Sequence, residues 1–284
     1  MDAAGPQSNM ASLRKALALL DVIAAAPEGL AAREISDTLR LPMATTYRLL
    51  AVLVDADYVI HLPEQSRFAL GYELHHLGAS LHRQVDPPIS VTRLITRLHI
   101  EADAAAYFAV HRGEDIVLAH VVDSKERPRI ATMGFGFSGA GHATAFGKIM
   151  LAGMSRPELD HYLARHGMAA MTTATICDAD VLDRQLADVR ARGMAVEQEE
   201  FSPGVCCLAV PIPDAAGQAI GSVAVSVDAP EFSARRPALD RVLRSIGHEV
   251  GHALKAQART ERVAKPTGQG HHDGRASQER GEPR

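Results

Sequence analysis

Apolar residues recur at helical spacing from the start of the chain. Leu13, Ala16, Leu17 and Leu20 follow an i, i+3, i+4, i+7 pattern, which predicts an amphipathic helix from about Ser12 to Ala26, stopped by Pro27-Glu28-Gly29. A second short helix is expected over about 31–39, with Ile35 and Leu39 inward, and a third opens with Pro42 at its first helical position, where a missing N–H costs nothing. On a helical wheel Thr46, Leu49, Leu50 and Leu53 form one stripe, while Ala44 and Arg48 point the other way, flanked by Thr45 and Tyr47. The period then changes to two: Tyr58-Val59-Ile60, a turn at 63–66, and Arg67-Phe68-Ala69-Leu70 read as the strands of a wing. Leu74, Leu77 and Leu81 restore the helical period until Asp86-Pro87-Pro88 breaks it, so residues 1–72 form one domain and 73–88 a linker helix.

The second half mixes both periods. A helix over 89–101 leads to a hairpin, 105–111 and 116–122, turned by Arg112-Gly113-Glu114-Asp115. A loop over 123–141 precedes a helix from about His142 to Ala152, and further helices fit 157–166 and 180–193. Strands fit 195–199, 207–212 and 218–227, and a last long helix fits 233–258. Helices interspersed with hairpins describe an α+β domain with a largely antiparallel sheet over 89–258. From Thr260 to Arg284 the chain is polar and without apolar periodicity, which predicts a disordered tail. On the strand 218–227 Ile220, Ser222, Ala224 and Ser226 share one small, hydroxylic face, and Gly221, Val223, Val225 and Val227 share the other, the core face.

Composition narrows the function classes. With 46% hydrophobic and 23% charged residues the chain is globular, and no apolar run approaches the ~20 residues of a membrane span. Together with an N-terminus lacking signal character and three cysteines with no framework spacing, this predicts a cytoplasmic protein with reduced thiols. The exposed start of the third helix is small, hydroxylic and cationic, which suits a major groove. Small residues allow close approach, hydroxyls and N–H groups bind phosphate, and Arg48 can fork onto guanine. Arg33 and Arg67 are further candidate DNA contacts. Yet the first 80 residues hold six Arg and Lys against nine Asp and Glu, so the same pattern also fits a protein-interaction module on a small-molecule sensor. Cys206 or Cys207 with His142 lacks the third group of a thiol catalyst, and His75-His76 and His271-His272 lack metal-ligand spacing. Neither an enzyme nor a metal or cofactor site is expected.

Three stretches carry a resemblance. SLRKALALLDVIAAAPEGLAAREISDTLRLPMATTYRLLAVLVDADYV resembles the winged helix-turn-helix of the IclR family of bacterial transcriptional regulators. GHATAFGKIMLA at 141–152, and RARGMAVEQEEFSPGVCCLAVPIPDAAGQAIGSVAVSV at 190–227 with its Glu200, Gly204, Val205, Cys207, Ala209 and Pro211 spacing, follow in that family's order. The resemblance implies an N-terminal winged helix-turn-helix joined by a linker helix to a GAF-like effector-binding domain, without catalysis, working as a homodimer or dimer of dimers on a palindromic double-stranded DNA operator. Where that family often has Lys-Ser after the proline of the third helix, this chain has Met43 and Ala44, which implies a different operator sequence.

The resemblance also implies that effector contacts come from Cys207, Ala224 and Ser226. Serine is frequent in the family at the position of Ala224, so a bulkier or less polar ligand is implied. A further wall is expected from Met133 and from Gly139, Ala140 and Gly141, whose small size lets backbone approach a ligand. N–H groups at the start of a helix beginning with His142, and a protonated His142 itself, would attract an anion. A small carboxylate, aromatic or keto, is the effector class expected.

Overall fold

The computed structural model describes residues 6–214 and 217–264. The chain divides into two compact units between Asp86 and Pro87, where the proline pair ends the helical pattern.

In the first unit α1 (Pro6–Ala24), α2 (Ala32–Leu39) and α3 (Met43–Asp55) precede a two-stranded wing, β1 (Val59–Leu62) and β2 (Arg67–Leu70), and α4 (Glu73–Val85). The core unites Leu19 and Ile23 of α1, Ala32 and Ile35 of α2, Leu49, Leu50 and Leu53 of α3, and Val59 and Phe68 of the wing. α1 starts earlier than Ser12, because Pro6 is tolerated in a first turn. Pro42 lies one position outside its expected place. It is the extended cap of α3 (φ −59°, ψ 140°), and its carbonyl accepts the N–H groups of Thr45 and Thr46 at 2.9 and 3.0 Å. Between α2 and α3 the turn is made by Arg40 in the left-handed region (φ 51°), and the Ser36 hydroxyl donates to the Leu41 carbonyl at 2.7 Å.

In the second unit α5 (Ile89–Ala102) leads into β3 (Ala105–Arg112) and β4 (Asp115–Val122). The helices α6 (Ala145–Ala152), α7 (Arg156–His166) and α8 (Ala179–Arg192) follow, then β5 (Ala195–Gln198), β6 (Val205–Pro213), β7 (Ala219–Asp228) and α9 (Ala229–Ala264). The strands make one antiparallel sheet in the order β4-β3-β7-β6-β5, with the last strand in sequence at its centre. α5 and α9 cover one face and α6 the other, with α8 against α6. This arrangement corrects the one-sided reading of β7. Ser222, Ala224 and Ser226 are as buried as Val223, Val225 and Val227, because a central strand between two helical layers has no solvent face. The α6 start is also corrected. A 3-10 turn covers Gly141–Ala143, and Thr144, a far better cap than His142, begins the helix by accepting the Gly147 N–H at 3.2 Å. Helix α9 runs beyond the expected 258, so Thr260–Ala264, assigned above to the tail, are helical; the rest of the tail, 265–284, lies outside the described residues.

Candidate nucleic-acid interface and effector site

The interface candidates follow from how α3 is anchored. Thr46, Leu49, Leu50 and Leu53 are its buried residues, and Met43, Ala44, Tyr47 and Arg48 are exposed, with Thr45 half-buried between them. Tyr47 exposes 54% of its surface, too much for a residue serving the core. Arg33 is exposed on the first turn of α2. Arg67 has another task. From β2 its Nη1 donates to the Gly29 carbonyl at 2.7 Å and lies 3.4 Å from the Glu34 carboxylate, which also accepts the Ala31 N–H at 2.7 Å. The wing is thereby tied to the start of α2. Gly29 makes the approach feasible: its φ is +72°, and a Cβ there would sit 2.5 Å from the Phe68 carbonyl oxygen.

The strand-borne effector-site candidates share the α6 face of the sheet. Cys207 of β6 pairs with Ser226 of β7, Ala209 with Ala224, and Ala224 in turn with Tyr107 of β3, so these residues tile one surface. The Tyr107 hydroxyl shares a hydrogen bond with Ser226 Oγ at 2.9 Å and accepts the Ile130 N–H at 3.2 Å, linking the sheet to the loop above it. Burial pushes this phenol up to about 12, so it stays a neutral donor and acceptor. Beside it, residues 126–130 with Val205, Ser226, Val227 and Asp228 line a cavity of about 190 Å³. Met133 is buried in the same apolar cluster as Tyr107, Phe146, Cys207 and Ala224.

Three groups belong to this region that the sequence reading did not single out, Glu197, Lys148 and Tyr107. Glu197 of β5 is the cross-strand partner of Cys207 and is 1% exposed. Its carboxylate accepts the Glu200 and Phe201 N–H groups at 2.5 and 3.2 Å and is hydrogen-bonded to the Cys207 thiol. Burial raises both the Glu197 carboxyl and the Cys207 thiol, so the sulfur is held protonated. Lys148 of α6, fully buried, donates to Glu200, while the other Glu200 oxygen is buried without a partner among the described residues. Desolvation lowers the Lys148 ammonium against the pull of that carboxylate. The only sequence signal for Tyr107 was its place in an apolar strand.

The glycine wall differs in detail from expectation. Gly139 (φ +93°) has open space where a Cβ would stand, and Ala140 takes the left-handed region (φ 48°). Gly141 is pressed against the Tyr162 ring, with its missing Cβ only 2.7 Å from the hydroxyl. His142 is 2% exposed, and its Nε2–H donates to the Ala169 carbonyl at 3.0 Å. Burial lowers its pKa, so the ring is neutral and contributes no charge to an anion.

The comparisons with known proteins agree with both halves. Residues 84–252 match the family described as bacterial transcriptional regulator IclR C-terminal, and residues 12–63 match the IclR helix-turn-helix domain. The chain is 27% identical over 220 residues to the HTH-type transcriptional repressor AllR of Klebsiella pneumoniae, covering 78% of this chain and 80% of that one. The solved Thermotoga maritima IclR superposes with a TM-score of 0.68 at 26% identity, covering 86% and 99% of the two chains. An IclR homologue of Microbacterium hydrocarbonoxydans complexed with 4-hydroxybenzoate shares the fold at 19% identity, with a TM-score of 0.67 and coverage of 86% and 99%. The chain therefore belongs to the IclR family of DNA-binding bacterial transcriptional regulators, with an N-terminal helix-turn-helix and a C-terminal effector-binding domain.

Proposed function

We propose that the protein binds a palindromic operator as a dimer or dimer of dimers, that α3 enters the major groove, and that a small carboxylate bound on the α6 face of the sheet modulates this binding. The observation carrying the reading is the two-sidedness of α3: four residues are buried on one side, and Tyr47 and Arg48 stand free on the other, engaged by no partner among the described residues. Thr45 and the N–H groups at the helix start serve phosphate, Arg48 reads or anchors a base edge, and Met43 and Ala44 set the sequence preference. Arg33 meets the flanking backbone, while Arg67 positions the wing. Pairing of copies is supported by apolar stripes with no use inside the unit: Leu77 and Leu81 on α4, 48% and 41% exposed, and Met10, Leu13 and Leu17 on α1, all above half. Such a protein acts where the operator lies, in the cytoplasm.

The carboxylate class is supported by the solved homologue holding 4-hydroxybenzoate and by the buried donors here. The Tyr107 and Ser226 hydroxyls, bonded to each other, and the Cys207 thiol are the polar groups on this face, Met133 belongs to the same cluster, and Ala224 adds an apolar patch. The test is fluorescence anisotropy on the DNA upstream of the protein's own gene, at fixed salt, with 4-hydroxybenzoate and pyruvate as probes. Arg48→Ala is expected to weaken operator binding at least tenfold with the fold unchanged; unchanged affinity would remove α3 from the interface. Ser226→Leu is expected to keep DNA binding and lose the response to carboxylate, and a variant that responds like the parent would take Ser226 out of the site.

A further inference from the structure

Outside both sites, α9 carries the run His248-Glu249-Val250-Gly251-His252. Residues four apart share a helix face, and here Leu243, Ile246 and Val250 turn to the sheet while His248 and His252 turn to solvent. The two imidazoles meet edge to face, with centroids 4.5 Å apart, planes at 73° and Nε2 atoms separated by 3.0 Å. Two nitrogens bound to one metal at about 2.0–2.1 Å lie roughly 2.9 Å apart at a right-angle bite and roughly 3.3 Å apart at a tetrahedral one. The observed separation falls inside that interval.

We propose that His248 and His252 form a two-point site for a divalent transition-metal ion of imidazole preference, Cu²⁺ before Ni²⁺ and Zn²⁺. Among the described residues no third His, Cys, Asp or Glu joins them, so water completes the coordination. The five residues also spell the H-E-x-x-H arrangement in which the glutamate of a zinc peptidase serves as general base. Here Glu249 is bonded to the Arg97 guanidinium of α5, which holds it away from that role. The site binds rather than hydrolyses. Both ligands come from one helix, so the metal staples the α9 turn that carries the buried Val250 and Gly251.

The test uses the full chain, stripped with EDTA and titrated with CuCl₂ by calorimetry, with the visible copper absorption band as a second readout. The parent is expected to take up one equivalent per chain, and His248→Ala and His252→Ala are each expected to lose at least tenfold in affinity. The tail carries its own pair, His271-His272, so a His271→Ala/His272→Ala variant is the control and is expected to bind as the parent does. Unaltered copper binding in either α9 variant overturns the proposal, as does loss of binding in the tail variant. Far-ultraviolet circular dichroism confirms the fold of each protein, and His248→Gln and His252→Gln replace any alanine variant that unfolds.

Discussion

The Lys148 side chain shows how much of this protein rests on single buried charges. Its ammonium is fully enclosed and its partner is the Glu200 carboxylate. Removing one member of such a pair leaves the other charged and unsolvated, whereas removing both does not. Lys148→Met is therefore expected to cost about 3–5 kcal/mol in chemical denaturation, and Lys148→Met/Glu200→Leu to recover most of that loss. Glu197 makes a pH prediction. Its carboxyl is raised by burial, so the folded state holds a proton that the unfolded state has released. Its contribution is full below the ordinary carboxylate range and is lost as pH rises through its elevated value. Glu197→Gln keeps an acceptor for the Glu200 and Phe201 N–H groups, and the stability difference, variant minus parent, is expected to rise with pH across that window. A flat difference between pH 4 and 8 would mean that Glu197 titrates normally. That Cys207, Ala224 and Ser226 share one face of the sheet was legible, because period two along β7 and the family spacing put them there. Glu197, Lys148 and Tyr107 were not, because each arrives by a pairing or a helix crossing that no local spacing encodes.

Elements were easier to read than their ends. The α3 stripe emerged residue for residue, since a helix with one buried side writes that side into its sequence. What the pattern missed were caps: Pro42 stands outside α3 and Thr144, not His142, starts α6. Cap identity depends on one residue's dihedral angles, and a hydrophobic period does not report them. Thr144→Ala is expected to cost about 0.5–2 kcal/mol, because the Gly147 N–H loses its acceptor inside the protein. Gly29→Ala tests the wing. Its left-handed backbone and the Phe68 carbonyl at 2.5 Å both oppose a Cβ, so the first unit is expected to lose about 1–3 kcal/mol while the second melts unchanged. Two transitions in calorimetry, only the first displaced, would bear this out.

At the scale of the molecule, the proline pair that ends the helical period stands where the two units divide, and the order of the sheet was not legible in the sequence. β7, last of the strands, inserts between β3 and β6, more than a hundred residues after β3. The proposed pairing of copies belongs to this scale as well. Placing Asp at both Leu77 and Leu81 introduces charge into the stripe of α4, and Leu77→Asp/Leu81→Asp is expected to yield monomers by light scattering and at least a tenfold loss of operator affinity. A dimer that persists would assign its contacts elsewhere.

The central place of β7 has a consequence for how this regulator can change. The strand proposed as the floor of its effector site is bonded to strands on both sides, and such backbone exchanges its amide protons only when the domain opens as a whole. The roof is a loop, joined to the sheet through the Val117–Ser138 bridge, the Leu118–Phe137 and Gly136–Leu118 hydrogen bonds and the Ile130–Tyr107 contact. Substitutions in that roof, from 126 to 140, can alter the shape offered to a ligand while the sheet beneath keeps its stability. Ligand preference is in this sense evolvable separately from the fold, and drift toward new effectors should accumulate in the loop before it touches the strands.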